Sequence, residues 1–155
     1  MSHTALERFL KSIETGLKTN DFAPLIAQVP YAAYLGLQIH QNNDCRQYQL
    51  PYQPKLIGNP TMPALHGGVI AGFLENAALF EVVISQHQRI PRTIDFSIDY
   101  MRSAKPEHCY ARVDIQRAGR RVVLAHMSCW QQVVDKPVAT ARAHFLLHTQ
   151  GLTAD

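Results

Sequence analysis

Cysteine is scarce in this chain. Its 155 residues include three cysteines, Cys45, Cys109 and Cys129, and no two of them form a Cys-x-x-Cys pair. An odd number of widely spaced cysteines argues against a disulfide framework and against a zinc site. We therefore expect three buried or half-buried thiols in a reducing compartment, and a cytoplasmic protein without a bound metal.

Long uninterrupted apolar runs are also absent. No stretch approaches the ~18 residues that a membrane helix needs, and the first eight residues are not a basic segment followed by an apolar one. The sequence therefore predicts neither a membrane partner nor a secretory signal. Charged residues are few, at 17% against 46% hydrophobic residues, which favours one globular domain over residues 1–155.

The net charge of +3 is too small to indicate a nucleic-acid partner, but the charge is unevenly distributed. Residues 89–121 hold eight Lys and Arg side chains and four Asp and Glu side chains, which leaves +4 in this third of the chain. Such a basic region suits a small polyanion, for example a phosphorylated cofactor. A solvated face of a sheet explains the same charges, so the two interpretations stay open here.

The first half of the chain predicts one helix and two strands. Apolar residues at helical spacing predict a helix over residues 4–17, within an N-terminal helical extension that covers residues 1–29. Residues 35–50 are typical of two short strands around a turn at Asn42, Asn43 and Asp44. Four prolines exclude helix interior or central strand from residues 51–65, and residues 69–86 then predict one buried helix.

The second half of the chain alternates with period two. One face of the first strand carries Ile94, Phe96, Ile98 and Tyr100. Further strands are predicted over residues 110–115, 122–134 and 138–148, with turns at Gly119 and at residues 135–137. The pattern predicts four strands in hairpin succession, and an α+β fold in which an antiparallel sheet packs against one central helix.

Glu75 is the only charged residue between Leu56 and Phe80. On a helical wheel it shares its face with Gly68, Ala71 and Gly72, whereas bulky residues such as Phe73 occupy the opposite face. An apolar helix rarely carries an ionised carboxylate without a use. A face with so little side-chain volume suits either a close-packed helix or a ligand that lies along it.

The start of this helix is the second candidate feature. His66, Gly67 and Gly68 place backbone N–H groups at the helix N-terminus with few side chains around them. Such groups favour negative charge and can stabilise an oxyanion on an attacked carbonyl. With Glu75 two turns further along on the face of Gly68, the arrangement favours acyl transfer or hydrolysis.

The segment from His66 to Ala78 resembles the signature of the hot-dog-fold acyl-CoA thioesterases of the phenylacetic-acid-degradation type. The resemblance extends over residues 30–148. The segment from Tyr31 to Leu37 is similar to the family's entry to its first strand. Residues 93–95 and 100–104 are similar to its third strand and the loop after it, and residues 119–121 to its next hairpin.

This resemblance implies a hot-dog fold, in which a curved antiparallel sheet wraps around one long central helix. It implies hydrolysis of acyl-CoA to free acid and CoA, with coenzyme A entering as part of the substrate and no separate cofactor. It also implies a homodimer, often paired into a homotetramer, with the active site at the dimer interface.

Site residues carry over by position. Glu75 matches the catalytic acid, as general base or nucleophile, and the N–H of Gly67 or Gly68 matches the oxyanion donor. His66 matches a residue that contacts the thioester carbonyl, and Asn59 an amide that positions the thioester or the water. From the residues themselves, the region of Arg102, Ser103, Arg120 and Arg121 is the candidate for the CoA phosphates, because Arg matches phosphate geometry.

Two other functions fit the same fold. A hydratase or dehydratase pairs a loop histidine with a helix acid, although the usual His-Phe-Pro pattern is absent. A non-catalytic module would hold acyl-CoA in the same tunnel without turnover. Release of free thiol separates hydrolysis from both alternatives.

Overall fold

The computed structural model describes residues 3–43, 45–86 and 89–148. Those ranges contain four α-helices, six β-strands and a single 3-10 turn at Pro54–Leu56. In chain order the elements are α1 (His3–Thr19), α2 (Ala23–Ile26), α3 (Pro30–Leu35), β1 (Gln38–Asn42), β2 (Cys45–Leu50), α4 (Gly67–Ser85), β3 (Pro91–Tyr100), β4 (Cys109–Ala118), β5 (Val122–Trp130) and β6 (Ala139–Leu147).

The six strands form one antiparallel sheet in the order β1-β2-β4-β5-β6-β3. Helix α4 packs on one face of this sheet, and eleven of its 19 residues are buried. The strand residues predicted to share a face, such as Ala143 and Phe145 of β6, point into the same core. The predicted α+β architecture, a sheet around one long helix, is therefore confirmed.

The predicted hairpin succession holds for β4, β5 and β6 but is wrong for β3. This strand pairs with β6 at the edge of the sheet, and the chain then crosses the ends of β6 and β5 to reach β4. Residues 101–108 make that crossing. Strand periodicity identifies the buried face of a strand but carries no information about its partner, which explains the error.

Several element boundaries differ from prediction. Leu35 ends helix α3 instead of starting a strand, because Pro30 opens that helix and Gly36 closes it with a positive φ of 69°. Strand β5 ends at Trp130, since the chain turns there and leaves Val133 and Val134 exposed. The N-terminal helix agrees with prediction and extends slightly further at both ends.

Strand β3 departs from simple alternation at a bulge. The register with β6 shifts between Thr93 and Asp95, which turns Ile94 outward and leaves it 56% exposed. Its predicted place on the face of Phe96 is therefore wrong. Beyond the bulge, Asp95 accepts a hydrogen bond from the His144 ring at 2.9 Å, and this contact lowers the pKa of the Asp95 carboxyl.

The three cysteines are free thiols, but they differ in burial. Cys109 and Cys129 lie in the core, where the hydrogen bond that the Cys129 thiol donates to Cys109, together with burial, raises the pKa of Cys129. Cys45 is exposed at the start of β2, so the prediction of three buried or half-buried thiols is wrong for this residue.

Helix α4 is long and apolar enough to cross a membrane by length and composition. In the fold, however, 56% of that apolar window is buried inside the protein. Its packing against the sheet is that of a core helix.

A buried ion pair joins α4 to the sheet. The guanidinium of Arg46 in β2 donates from Nη2 and Nε to the two carboxylate oxygens of Glu81, at 2.6 and 2.8 Å. The Tyr48 hydroxyl donates to Glu81 Oε2 at 2.7 Å. Burial is the largest single influence on the pKa of Arg46 and lowers it, but the hydrogen bonds and charges of Glu81 and Tyr48 together outweigh burial and raise that pKa overall. Burial, and then the charge of Glu81, raise the pKa of Tyr48.

We expect Arg46→Ala to lower the free energy of unfolding by about 3–5 kcal/mol, because it leaves the Glu81 carboxylate buried without a cation. Urea denaturation measures the loss. The double variant Arg46→Ala, Glu81→Leu should recover part of it. Arg112→Ala, at an exposed residue of β4, is the control, with an expected change within about 0.5 kcal/mol. Equal losses from the two arginines would contradict a stabilising role of the pair.

Candidate active site

His66 caps the N-terminus of α4. Its Nδ1 accepts the backbone N–H of Gly68 at 2.9 Å, and its own carbonyl accepts the N–H groups of Val69 and Ile70. This side-chain cap lets the helix begin at Gly67, two residues earlier than predicted. Because Nδ1 is an acceptor here, the neutral ring carries its proton on Nε2, and in the part of the chain that the structure describes this Nε2–H has no acceptor.

The cap also separates the two glycines that were predicted as oxyanion donors. The N–H of Gly68 is already bonded to His66, whereas the N–H of Gly67 has no partner within residues 3–43, 45–86 and 89–148. The Tyr100 hydroxyl, at the end of β3, donates to the carbonyl oxygen of Gly67 at 2.8 Å. Gly67 is therefore the open donor, and Tyr100 anchors its peptide to the sheet.

Two backbone contacts fix the approach to the helix. The N–H of Leu65 donates to Ala104 at 2.9 Å, and the N–H of His66 donates to Leu56 at 2.9 Å. The backbone of Gly58 lies close to the His66 side chain, since a Cβ at position 58 would lie 2.9 Å from the His66 ring. The loop of residues 51–66 thus holds His66 between the 3-10 turn and the segment after β3.

Glu75 lies on the more open face of α4, as predicted. Gly68 is exposed, Ala71, Gly72, Glu75 and Leu79 are half-buried, and Ala78 and Val82 at the margins of the predicted face are buried. Within the described part of the chain, the Glu75 carboxylate has no hydrogen-bond or ion-pair partner. The side chain is thus held at the edge of the core without compensation by a cation.

Gly72 is explained in part by helix packing, one of the two uses expected for this face. A Cβ at this position would lie 2.7 Å from the ring of Tyr31 in α3. The Asn76 amide donates to the Gly72 carbonyl at 2.8 Å on the buried side. The face near Glu75 is therefore partly covered by Tyr31 and open beyond it.

Asn59 is engaged in its own turn. Its Oδ1 accepts the N–H and the hydroxyl of Thr61, at 3.0 and 2.8 Å. This Asx turn occupies the amide oxygen, so the Nδ2 group is what Asn59 has available for other partners.

The predicted phosphate-binding residues do not form one region within a chain. Arg102 and Ser103 follow β3, at the end of the sheet where α4 begins, and Arg102 donates to the Pro137 carbonyl at 2.8 Å. Arg120 and Arg121 lie in the turn before β5, at its other end. The nine residues of β5 separate the two pairs by roughly 26 Å.

Sequence reasoning missed Lys105 and Lys136 as neighbours of Arg102. The three cations line a cavity of about 220 Å³, together with Ser103. Glu107, the acid of this cavity, accepts a hydrogen bond from Gln132 at 2.9 Å. Lys136 stands in a turn 34 residues after Arg102, so only the pairing of β3 with β6 brings them together.

Gly67 and Glu75 are separated along the helix. They lie eight residues apart on α4, which is about 12 Å along the helix axis. A carbonyl held at the N–H of Gly67 is thus more than two helical turns from the Cα of Glu75 in the same chain. Among the described residues no cluster of His, Cys, Asp and Glu could hold a metal ion.

Comparisons with known proteins identify the family of the chain. Residues 58–146 match the family of the acyl-CoA thioesterase N-terminal domain. The chain is 31% identical over 117 residues to the medium/long-chain acyl-CoA thioesterase YigI of Escherichia coli K12, covering 66% of this chain and 76% of that protein.

Solved structures share the fold. A crystal structure from Chromobacterium violaceum matches with a TM-score of 0.75 at 31% identity, over 93% of this chain and 98% of that one. A phenylacetic acid degradation-related protein from Ralstonia eutropha matches with a TM-score of 0.70 at 20% identity, over 92% and 98%.

An antiparallel sheet around a capped, carboxylate-bearing helix is the arrangement that the resemblance to the hot-dog thioesterases implies, and that resemblance is confirmed. The chain belongs to the acyl-CoA thioesterase family, as an enzyme of that class.

Proposed function

We propose that the protein hydrolyses medium- or long-chain acyl-CoA at a site shared by two copies of the chain. The observation that carries this proposal is a pair of groups on α4 without a partner among the described residues, the N–H of Gly67 and the carboxylate of Glu75. Their separation of about 12 Å along one helix favours a site in which each works with its counterpart from another copy. The acyl class follows the name of the relative from Escherichia coli.

Strand β3 is the surface where we place the second copy. It is an edge strand of ten residues, and Ile94, Tyr100 and Met101 at or beside it are each more than half exposed. An exposed edge of that length and apolarity is normally covered in a native protein. Pairing of two β3 edges forms a homodimer, and further association of dimers gives the homotetramer.

In the proposed reaction, the thioester oxygen accepts the N–H of Gly67, and the Nε2–H of His66 approaches the same carbonyl. Removal of one such oxyanion donor typically costs about 3–4 kcal/mol of transition-state stabilisation. Glu75 of the partner acts as general base on water or as the nucleophile. A C–O bond forms, the C–S bond breaks, and the proton taken from water leaves with the CoA thiolate. Asn59 Nδ2 faces the bound thioester or the water.

We assign the CoA phosphates to the cavity of Arg102, Ser103, Lys105 and Lys136. Its three cations are accompanied by a single acid, Glu107, whose carboxylate already accepts a hydrogen bond from Gln132. The cavity lies at the end of the sheet where α4 begins, so an acyl-CoA can reach from it to Gly67. Arg120 and Arg121, at the other end of the sheet, are the alternative binding residues for the CoA phosphates.

The first prediction about activity concerns Glu75. We expect Glu75→Gln to keep the fold and to reduce turnover at least a hundredfold, since a general base contributes roughly 10²–10⁴-fold. Free thiol released from short, medium, long and aromatic acyl-CoAs is the measurement, with a blank without substrate because Cys45 is exposed. Glu14→Gln on α1 is the matched control. Near-normal turnover by a folded Gln variant excludes Glu75, and saturable binding without turnover by the wild type indicates a binding module.

A second prediction tests the Gly67 N–H. Proline is favoured at the first helical position, and the extended backbone of His66 (ψ 133°) suits a following proline, so Gly67→Pro removes the N–H at little cost to the helix. We expect kcat to fall about 10²–10³-fold. Gly67→Ala is the matched control, because it places the same Cβ about 3.2 Å from Tyr100 and keeps the N–H.

Mixing the two variants tests the shared site. A dimer of one Glu75→Gln chain and one Gly67→Pro chain contains one intact site and one doubly defective site, so activity should reappear on mixing. If mixed dimers form without regaining activity, each site uses the two groups of one chain and the shared site is wrong.

A third prediction concerns the phosphates. Arg102→Ala and Lys136→Ala should each raise KM for acyl-CoA about tenfold, which corresponds to roughly 1.4 kcal/mol of lost binding. The effect should vanish with an acyl thioester of N-acetylcysteamine, which carries no phosphate. A selective rise of KM in Arg120→Ala and Arg121→Ala instead would move the nucleotide to the other end of the sheet.

A further inference from the structure

Tyr31 reaches from α3 onto the helix that carries Glu75. The ring atom Cε1 would lie 2.7 Å from a Cβ at position 72, and the hydroxyl Oη would lie 2.8 Å from it. The hydroxyl end of the side chain is thus the end that touches the helix. The residue as a whole is 47% exposed.

Neighbouring groups hold this ring in place. Tyr31 stacks on Tyr34 with 6.3 Å between ring centroids and 13° between planes. The ammonium of Lys55 lies 3.9 Å from the Tyr34 ring centroid and donates to the Tyr34 carbonyl at 2.7 Å. The 3-10 turn that contains Lys55 therefore holds Tyr34, and Tyr31 stacks on Tyr34.

The Tyr31 hydroxyl has no hydrogen-bond partner in the described ranges. Glu75 lies three residues after Gly72, and side chains at that spacing on a helix have Cβ atoms about 5–6 Å apart. Helical side chains also lean toward the N-terminus, which directs Glu75 toward Gly72. A phenol and a carboxylate, each without a partner among the described residues, thus border the same open surface of α4.

We infer that Tyr31 is a further catalytic residue that holds the attacking water beside Glu75, an inference that rests on the proposed function. Glu75 accepts one hydrogen of the water and Tyr31 Oη accepts the other. A water lone pair then faces the thioester carbon. As the C–O bond forms and the C–S bond breaks, the first hydrogen passes to Glu75 and then to the CoA thiolate, while the second stays on the product acid.

The test is Tyr31→Phe, which keeps the ring over Gly72 and removes the hydroxyl. We expect kcat to fall about tenfold or more, as one lost hydrogen bond to the reacting water implies, with KM within about twofold of wild type. The melting temperature should not change. Tyr34→Phe is the matched control, because its ring belongs to the same stack and its hydroxyl plays no part in the proposed step.

Other outcomes overturn the inference in distinguishable ways. An unchanged kcat in Tyr31→Phe removes Tyr31 from the reaction and leaves the thioesterase proposal intact. A change confined to KM or to the preferred acyl length makes Tyr31 part of the acyl groove. A lowered melting temperature with equal losses in both tyrosine variants makes the stack structural. No turnover by the wild type with any acyl-CoA overturns the proposed function, and this inference with it.

Discussion

The pairing of Glu81 with Arg46 and Tyr48 fixes the helix on which the whole site depends. Helix α4 is apolar on most of its surface, so hydrophobic burial alone distinguishes poorly between rotations about its axis. Three hydrogen bonds from β2 to one buried carboxylate remove that freedom, because any other rotation leaves a charge unpaired in the core. Glu75, six residues earlier, then points about 120° away, toward the open side of the helix.

The two carboxylates of α4 therefore have opposite environments. Glu81 is saturated by its partners and is inert toward a ligand, whereas Glu75 has none of its own within the described chain. The same contrast holds for the glycines at the helix start, where the cap satisfies Gly68 and leaves Gly67 open. In both pairs one member takes the hydrogen bonds within the fold, Glu81 or Gly68. The other member, Glu75 or Gly67, stays available to a ligand.

Much of this could be predicted from the sequence, and the reasons for the failures are physical. Apolar residues at period two located the strands, and an apolar segment without proline located α4. The buried face of a strand or helix requires apolar residues at such positions, which is why the pattern can be seen in the sequence. The lone charge among apolar residues identified Glu75. Sequence order could not show that β3 pairs with β6, nor that Ile94 is turned out by a bulge.

Long-range contacts explain the functional residues that were missed or misplaced. Tyr31 and Gly72 are 41 residues apart, and the sequence shows no sign that one covers the other. Arg102 and Lys136 meet only through sheet pairing, while Arg120 and Arg121, close to Arg102 in the basic stretch, end up at the opposite end of β5. Proximity along the chain was the wrong guide for a cluster of surface cations.

The pairing of β3 with β6 also has a consequence for how the protein folds. During synthesis, β3 leaves the ribosome directly after α4, but its partner strand follows only after β4 and β5 have been made. Until β6 has been made, the sheet that covers α4 is incomplete, and β3, which carries apolar side chains, has no partner strand. Non-local pairing of this kind slows folding and prolongs exposure to aggregation. The pairing of β3 thus depends on the last of the six strands to be made, and it completes the edge at which we place the second copy.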